Sequence, residues 1–317
     1  MMPRSVGRLQ CYLAAIVIIS FGLALFIGPF GIDGQFSELR FSRVAMALLS
    51  GATLAVTGSC LQALLHNSLA DPFVIGVSGG AALGGTLGML VAPFFSSAAS
   101  LGAMGGALLI TLSINALLLK KPHLGSEHIL LLGVIFNTIA SAIITFIKTI
   151  LPPSQTQNLL FWLAGNIPYT SINNLAILAF VIIPLIVYVI KKGGSLDILA
   201  QGDEEAQRLG LNTQKERMYL YFALSIVIGL IVAQTGPIGF VGLIIPNLLR
   251  RIVGPSQKIL LPASALCGGA FLVLSDALAR LSFVLWSSEI PTGAITTLIG
   301  GPVFIWILLR EKRKNPN

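Results

Sequence analysis

Apolar stretches of about 20 residues follow one another along almost the whole chain, and this alternation of greasy run and short polar connection leaves few folds open. Such runs fall at 10–30, 43–65, 73–91, 98–120, 127–150, 172–192, 217–235, 238–252, 258–283 and 290–309. A helix rises about 1.5 Å per residue, so each of the longer runs can cross the hydrocarbon core of a bilayer. In lipid the backbone must satisfy its own hydrogen bonds, which a helix over each apolar run does within itself. The sequence therefore predicts an all-α integral membrane protein of about ten transmembrane helices, forming a single transmembrane domain over residues 1–317. With 55% hydrophobic and 10% charged residues the chain has too little polar surface for a soluble globule. The eighth run is short and holds Gly239, Gly242 and Pro246, so it is expected to be irregular, which lipid tolerates only where protein or a pore covers the backbone.

The basic residues fix the expected orientation. Sixteen of the 20, among them Arg4, Arg8, Lys120, Lys121, Lys191, Lys192, Arg208, Arg250, Arg251, Arg310 and Lys314, fall on one side of the ten-span arrangement. The positive-inside rule puts that side, with both termini, in the cytoplasm. Arg40, Arg43, Lys148 and Arg280 are the exceptions, at or near the outer ends of spans, where a bland role is snorkelling to head groups. The formal charge of +8 would suggest nucleic acid in a soluble protein, but here the basic residues act as topological anchors, so lipid is the expected partner and nucleic acid is not. Cys11 to Phe30 is long enough to span and lacks a small-residue cleavage site, so it is read as a retained first span. Cys11, Cys60 and Cys267 lie in apolar runs without metal-ligand spacing and read as small core residues.

One polar island interrupts the pattern. Ten of the chain's 32 Asp, Glu, Lys and Arg residues lie between Lys191 and Arg217, centred on Gly202, Asp203, Glu204, Glu205, Arg208, Leu209 and Gly210. The three acids suit the positive end of a short helix, Arg208 its last turn and Gly210 its stop. A charged, helix-forming segment of about 193–215 between spans is a handle for something in water, although a solvated loop that binds nothing has the same composition. A second pattern, Gly76, Gly80, Gly84 and Gly88, forms a smooth stripe on one helix face and favours close helix packing over a ligand surface. No GxxxxGK[ST] loop occurs, so the chain has no recognisable means of hydrolysing ATP.

Chemistry inside the membrane is sparse. Ion-coupled transporters usually carry ionisable groups near the midplane, and the nearest candidate here, Asp276, lies toward the outer end of its span, four residues before Arg280, a spacing that permits an ion pair. His66, His123 and His128 sit at span ends with no matched nucleophile or metal set, so neither a catalytic nor a metal site is expected. A protein that moves something and draws its energy from a partner fits these absences best. An ion-coupled secondary transporter or channel acting alone, and an inert scaffold, remain as alternatives.

Longer motifs carry a resemblance. Arg40-Phe41-Ser42-Arg43, Gly51 to Gly58, Leu61-Gln62, and His66-Asn67-Ser68-Leu69-Ala70-Asp71-Pro72 through Gly76 to Ala81 come first. Phe161-Trp162-Leu163-Ala164-Gly165, Gly202 to Gly210, Gly236-Pro237 through Pro246, Asp276 to Arg280, and Glu289-Ile290-Pro291-Thr292-Gly293 through Pro302 follow in order. Together they resemble the permease subunits of ABC importers for ferric siderophores, haem and cobalamin. The resemblance implies a second permease subunit, identical or paralogous, completing a pathway across the cell inner membrane. It also implies two cytoplasmic ATPases that use ATP and Mg, an extracytoplasmic binding protein, and no cofactor bound by this chain. By the same resemblance Leu196 to Gly210 forms the coupling helices that meet the ATPase, and Arg40, Arg43 and Arg280 dock carboxylates of the binding protein. Asn67, Leu69 and Ser126 fall in regions that close the pathway on the cytoplasmic side. The family commonly has Pro-His where this chain has Pro246-Asn247, and Asn cannot take up charge.

Overall fold

A computed structural model of the chain describes residues 4–26, 37–73, 76–91, 98–120 and 126–314. Among these residues it is all helix and connection, in thirteen helices: α1 (Arg4–Phe26), α2 (Ser37–Leu64), α3 (Val77–Val91), α4 (Ala98–Lys120), α5 (Ser126–Ile150), α6 (Pro153–Leu163), α7 (Ile172–Lys191), α8 (Gly193–Leu199), α9 (Asp203–Arg208), α10 (Thr213–Thr235), α11 (Val241–Val253), α12 (Gln257–Trp286) and α13 (Thr292–Lys314). Ten of them fall on the ten apolar runs. By length and composition five can cross a membrane outright, within α2, α5, α7, α10 and α12, while the apolar parts of α1, α3, α4 and α13 are shorter.

Three helices lie outside the apolar runs. Helices α8 and α9 divide the polar island. Helix α6 has no counterpart in the sequence reading, because Ser154, Gln155, Thr156, Gln157 and Asn158 keep its window polar. Its start is nevertheless encoded: Pro152 is the N-cap and Pro153 takes the first helical position, where a missing N–H costs nothing. The expected irregularity before α11 is present, with residues 236–240 outside any helix and Gly236 and Phe240 at φ 67° and 71°.

Glycines set the closest helix contacts. A methyl group at Gly80 or Gly84 would overlap the Gly106 or Gly102 carbonyl of α4, and one at Gly88 would overlap Ala98. The stripe is therefore a packing seam between antiparallel α3 and α4, as its spacing suggested. Gly76 precedes α3 and lies against Gly133 of α5 instead. Two further seams were not evident in the sequence, Gly51 against Gly268 between α2 and α12, and Gly58 against Gly242 between α2 and α11.

The α2–α12 seam continues along both helices. Arg43 meets Asp276, Gly51 meets Gly268 and Ser59 Oγ lies 3.0 Å from Gln257 Oε1, a falling register that makes the pair antiparallel. Met46, Ala47, Leu54, Val56, Leu61, Leu260, Leu261, Leu272 and Val273 are fully or almost fully buried around it. Helices α5 and α7 are the opposite case: their most apolar windows are only 22% buried, against 78% for α2, although they are the more hydrophobic. Leu131, Ile139, Phe146 and Phe180 face outward, a surface that water would penalise and lipid or another apolar protein face would not.

Candidate functional site

The polar island folds as a step with a buried back and a charged front. Leu196, Leu199 and Ala206 are fully buried, while Glu204, Glu205, Gln207, Arg208, Leu209 and Gly210 are exposed. Asp203 opens α9 after Gly202, whose φ of 119° sets the turn between the two short helices. A Schellman motif closes α9: Gly210 N–H donates to Gln207 O at 2.9 Å and Leu211 N–H to Ala206 O at 3.0 Å, with Gly210 at φ 82°. The stop expected at Gly210 is thus a defined motif. Arg208 and Glu205 approach to 3.7 Å while both stay more than half exposed, too loosely held to occupy either charge.

Side chains anchor this step to the long helices. Asp197 of α8 accepts from Ser256 Oγ at 2.8 Å and Gln257 N–H at 2.5 Å, so its carboxylate satisfies an otherwise unpaired donor at the start of α12. Lys192 pairs with Glu216 of α10 at 2.7 Å. Arg217 Nη1 donates to Leu64 O at the end of α2, 2.7 Å away. His66 Nε2 lies 2.7 Å from Leu199 O.

The loop from α2 to α3 lies at the same end. Asn67 Oδ1 accepts from Leu69 N–H at 2.8 Å, which folds the loop back on itself. Asn247 donates through Nδ2 to Ser68 O at 2.9 Å and Leu243 O at 2.8 Å, and Oδ1 accepts from Arg250 Nη1 at 3.0 Å. Its amide therefore joins α11 to the loop with donors and an acceptor at once, a role that needs no charge. Arg250 also reaches Gln62 Oε1 at 2.8 Å. A half-open pocket of about 90 Å³ sits here, lined by Ser68, Leu69, Asn247, Arg250, Phe304 and Ile307. Leu69 is 42% exposed beside it, and Ser126 lies apart in sequence at the start of α5.

Asp71 closes the loop from the inside. Its carboxyl lies against Gly242 of α11, accepts one backbone bond from Phe73 at 3.3 Å, and forms no ion pair among the described residues. Burial pushes its pKa up to about 7.

A second cluster joins the other ends of α2 and α12. Arg43 donates through Nε and Nη2 to Asp276 Oδ1 at 3.0 and 2.8 Å and also to Glu289 Oε1, with its guanidinium 4.6 Å from the Tyr169 ring centre. Arg280 Nε lies 3.0 Å from Asp276 Oδ2, so the four-residue spacing does form the ion pair it permitted. Thr292 Oγ1 lies 3.4 Å from Asp276. Arg43, Asp276 and Arg280 are all about 1% exposed and Arg40 only 9%, so snorkelling to head groups does not describe these arginines. Arg43 and Arg280 are held beneath the surface by an internal carboxylate. Glu289, 27% exposed, is the member nearest solvent, and Arg40 Nη2 is buried without a hydrogen-bond partner among the described residues. Lys148 stands apart, half-buried in the last turn of α5.

The motif around Trp162 has a structural use. Its indole fills the notch over Gly85 of α3, its carbonyl packs against Gly236, and Gly165 at φ 75° accepts from Gly293 N–H at 2.8 Å. These contacts tie α6 to the start of α13 and the end of α10. No group of three or more His, Cys, Asp or Glu suited to a metal occurs among the described residues.

Comparison with known proteins gives this geometry a context. The model of the FecCD transport family matches residues 11–310. The vitamin B12 import system permease protein BtuC of Vibrio cholerae is 39% identical over 276 residues, covering 86% of this chain and 82% of that one. The hemin transport system permease protein HmuU of Yersinia pestis is 33% identical over 283 residues, 87% of this chain and 84% of that one. A metal-chelate type ABC transporter solved in an inward-facing conformation superposes with a TM-score of 0.87 at 27% identity, covering 96% of this chain and 99% of that one.

Proposed function

The chain belongs to the FecCD transport family, and from that premise we propose that it is the permease subunit of an ATP-driven importer for a large metal chelate: cobalamin, haem or a ferric siderophore. The observation that carries this reading is the 39% identity to a vitamin B12 import permease over 86% of the chain. The hemin relative keeps the substrate class wider than corrinoids.

In this reading the protein is multi-pass in the cell inner membrane, with both termini and the α8–α9 step in the cytoplasm. It forms the pathway with a second permease, identical or paralogous, and the outward apolar faces of α5 and α7 meet that partner or lipid. Two ATPase subunits bind ATP and Mg and engage the exposed charges of α9, so this chain is a transport subunit and not itself an enzyme. The loop with Asn67 and Leu69, together with the start of α5 at Ser126, closes the cytoplasmic side. Arg40, Arg43 and Arg280 are the cationic group that meets the extracytoplasmic binding protein. Because they lie beneath the surface, an incoming carboxylate would exchange with Glu289 or approach Arg40 Nη2, which has no hydrogen-bond partner among the described residues.

Proteoliposomes containing the permease, its ATPase and its binding protein test the reading, with cobalamin, haem and a ferric siderophore offered side by side. ATP-dependent uptake of one of them is expected to persist when proton and sodium gradients are collapsed, and to stop with a non-hydrolysable ATP analogue. Uptake by the permease alone under an imposed gradient would overturn it in favour of a secondary transporter.

A further inference from the structure

Two residues past the end of helix α2 stands a residue whose backbone conformation is unusual for its type. His66 lies in the left-handed region at φ 50°, where an L side chain meets a steric cost that glycine avoids. The turn it makes has the same form as the one that closes α9. His66 N–H bonds to Ala63 O at 3.3 Å and Asn67 N–H to Gln62 O at 3.1 Å, a second Schellman motif. Glycine would make this turn with less strain, as Gly210 does in α9, so the backbone gives no reason for histidine.

The imidazole supplies one. Its Nε2 lies 2.7 Å from the carbonyl oxygen of Leu199, the last residue of α8. The Leu199 carbonyl also accepts from Gly202 N–H at 3.2 Å, its second lone pair is free for the imidazole, and a carbonyl only accepts, so Nε2 carries the hydrogen in this contact. On one side of His66 stands α8, which is itself fixed to the start of α12 through Asp197. On the other side, next in the chain, come Asn67, Ser68 and Leu69, held by the Asn67–Leu69 bond and by Asn247.

We infer that His66 is a positioning residue for transport: it passes movement of the α8–α9 step directly to the Asn67–Leu69 loop. This rests on the ATP-driven reading above, in which the first element meets the ATPase and the second closes the pathway. The route is short. A displacement of Leu199 pulls on a side chain whose own backbone begins the loop, with no intervening helix to absorb it. The His66 backbone, already in a restricted conformation, has few other ways to yield.

The test compares wild type, His66→Gly and His66→Gln in the full complex with ATPase and binding protein. Glycine keeps the turn and removes the imidazole, so misfolding is not the expected outcome, and an unfolding temperature at or above that of wild type checks this. With His66→Gly, ATP hydrolysis is expected to continue while uptake of cobalamin, haem or ferric siderophore per ATP falls by about fivefold, the equivalent of one ordinary hydrogen bond. Amide hydrogen exchange at residues 67–71 and 200–202 is expected to rise together. His66→Gln, which restores a donor, is expected to recover part of both. Unchanged uptake per ATP in His66→Gly, or unchanged exchange in the two segments, would overturn the inference and leave His66 as a helix stop only. If the wild-type complex takes up none of the three compounds with ATP, the functional reading fails, and the exchange comparison still decides whether His66 joins the two segments.

Discussion

The two charged regions of this chain handle charge in opposite ways. At one end Arg43, Asp276, Arg280 and Glu289 close on one another, with three of the four buried. At the other, Glu204, Glu205 and Arg208 stand exposed on α9, where Arg208 and Glu205 make a loose contact. Buried charges must find partners inside the fold, so the first cluster fixes which helices are neighbours. Exposed charges are balanced by water and remain available to another protein. Position relative to the surface, more than charge content, separates a clamp from a handle.

Breaking the clamp is expected to give the largest effect on stability. Asp276→Ala leaves two buried guanidiniums without their shared carboxylate and should destabilise the protein by about 3–5 kcal/mol, read as a lower unfolding temperature in detergent. Wild-type stability in that variant would show that the cluster does not hold α2 to α12.

Asp71 sharpens the comparison because it is buried like Asp276 but has no cationic partner among the described residues. Its folded-state pKa, about 7, lies above the ordinary carboxylate value of 3.8, so the folded protein holds a proton that the unfolded chain releases. Stability should therefore fall as pH rises from about 4 to about 7 and stay low above that, a loss of at most about 4 kcal/mol from this group. Asp71→Asn should remove the slope, making the variant more stable than wild type at pH 8 and equal to it near pH 4. Parallel pH curves for the two proteins would refute the assignment.

A smaller effect is expected at the handle's own scaffold. Gly210→Ala places a side chain in the left-handed position that ends α9 and should cost about 1–2 kcal/mol, with loosening confined to residues 203–211 in hydrogen exchange. The smallest effect on stability belongs to the exposed charges. Glu204→Ala, Glu205→Ala and Arg208→Ala combined should change stability by no more than about 0.5 kcal/mol, yet detach or uncouple the ATPase in co-purification and transport assays. Normal association and transport by that triple variant would remove α9 from the ATPase contact.

Much of this fold is written locally. Ten apolar runs became ten helices because length and composition alone decide whether a segment suits lipid, and the Gly80, Gly84 and Gly88 stripe named a packing seam because its spacing matches a helix face. The stop at Gly210 was legible for the same reason. What escaped is relational. Arg43 and Asp276 are 233 positions apart, and Asp197 caps a helix 60 residues away. No periodicity along the chain says which helix lies beside which. Helix α6 was missed on other grounds, since a polar helix too short to span looks like a connection. The arginines at positions 40, 43 and 280 were picked out by their wrong side of the charge asymmetry, but their burial depends on neighbours that the asymmetry cannot see.

Helix α12 joins the two charged regions of the molecule. Asp197 grips it at Gln257, and Asp276 lies 19 residues further along, about 28 Å at the helical rise. Pivoting the rod by about 5° at its gripped end would carry Asp276 sideways by about 2.5 Å, close to the full length of a hydrogen bond. The same pivot carries Gly268, 11 residues from Gln257, by about 1.4 Å, so the tight Gly51–Gly268 contact has to give along with the bond between Arg43 and Asp276.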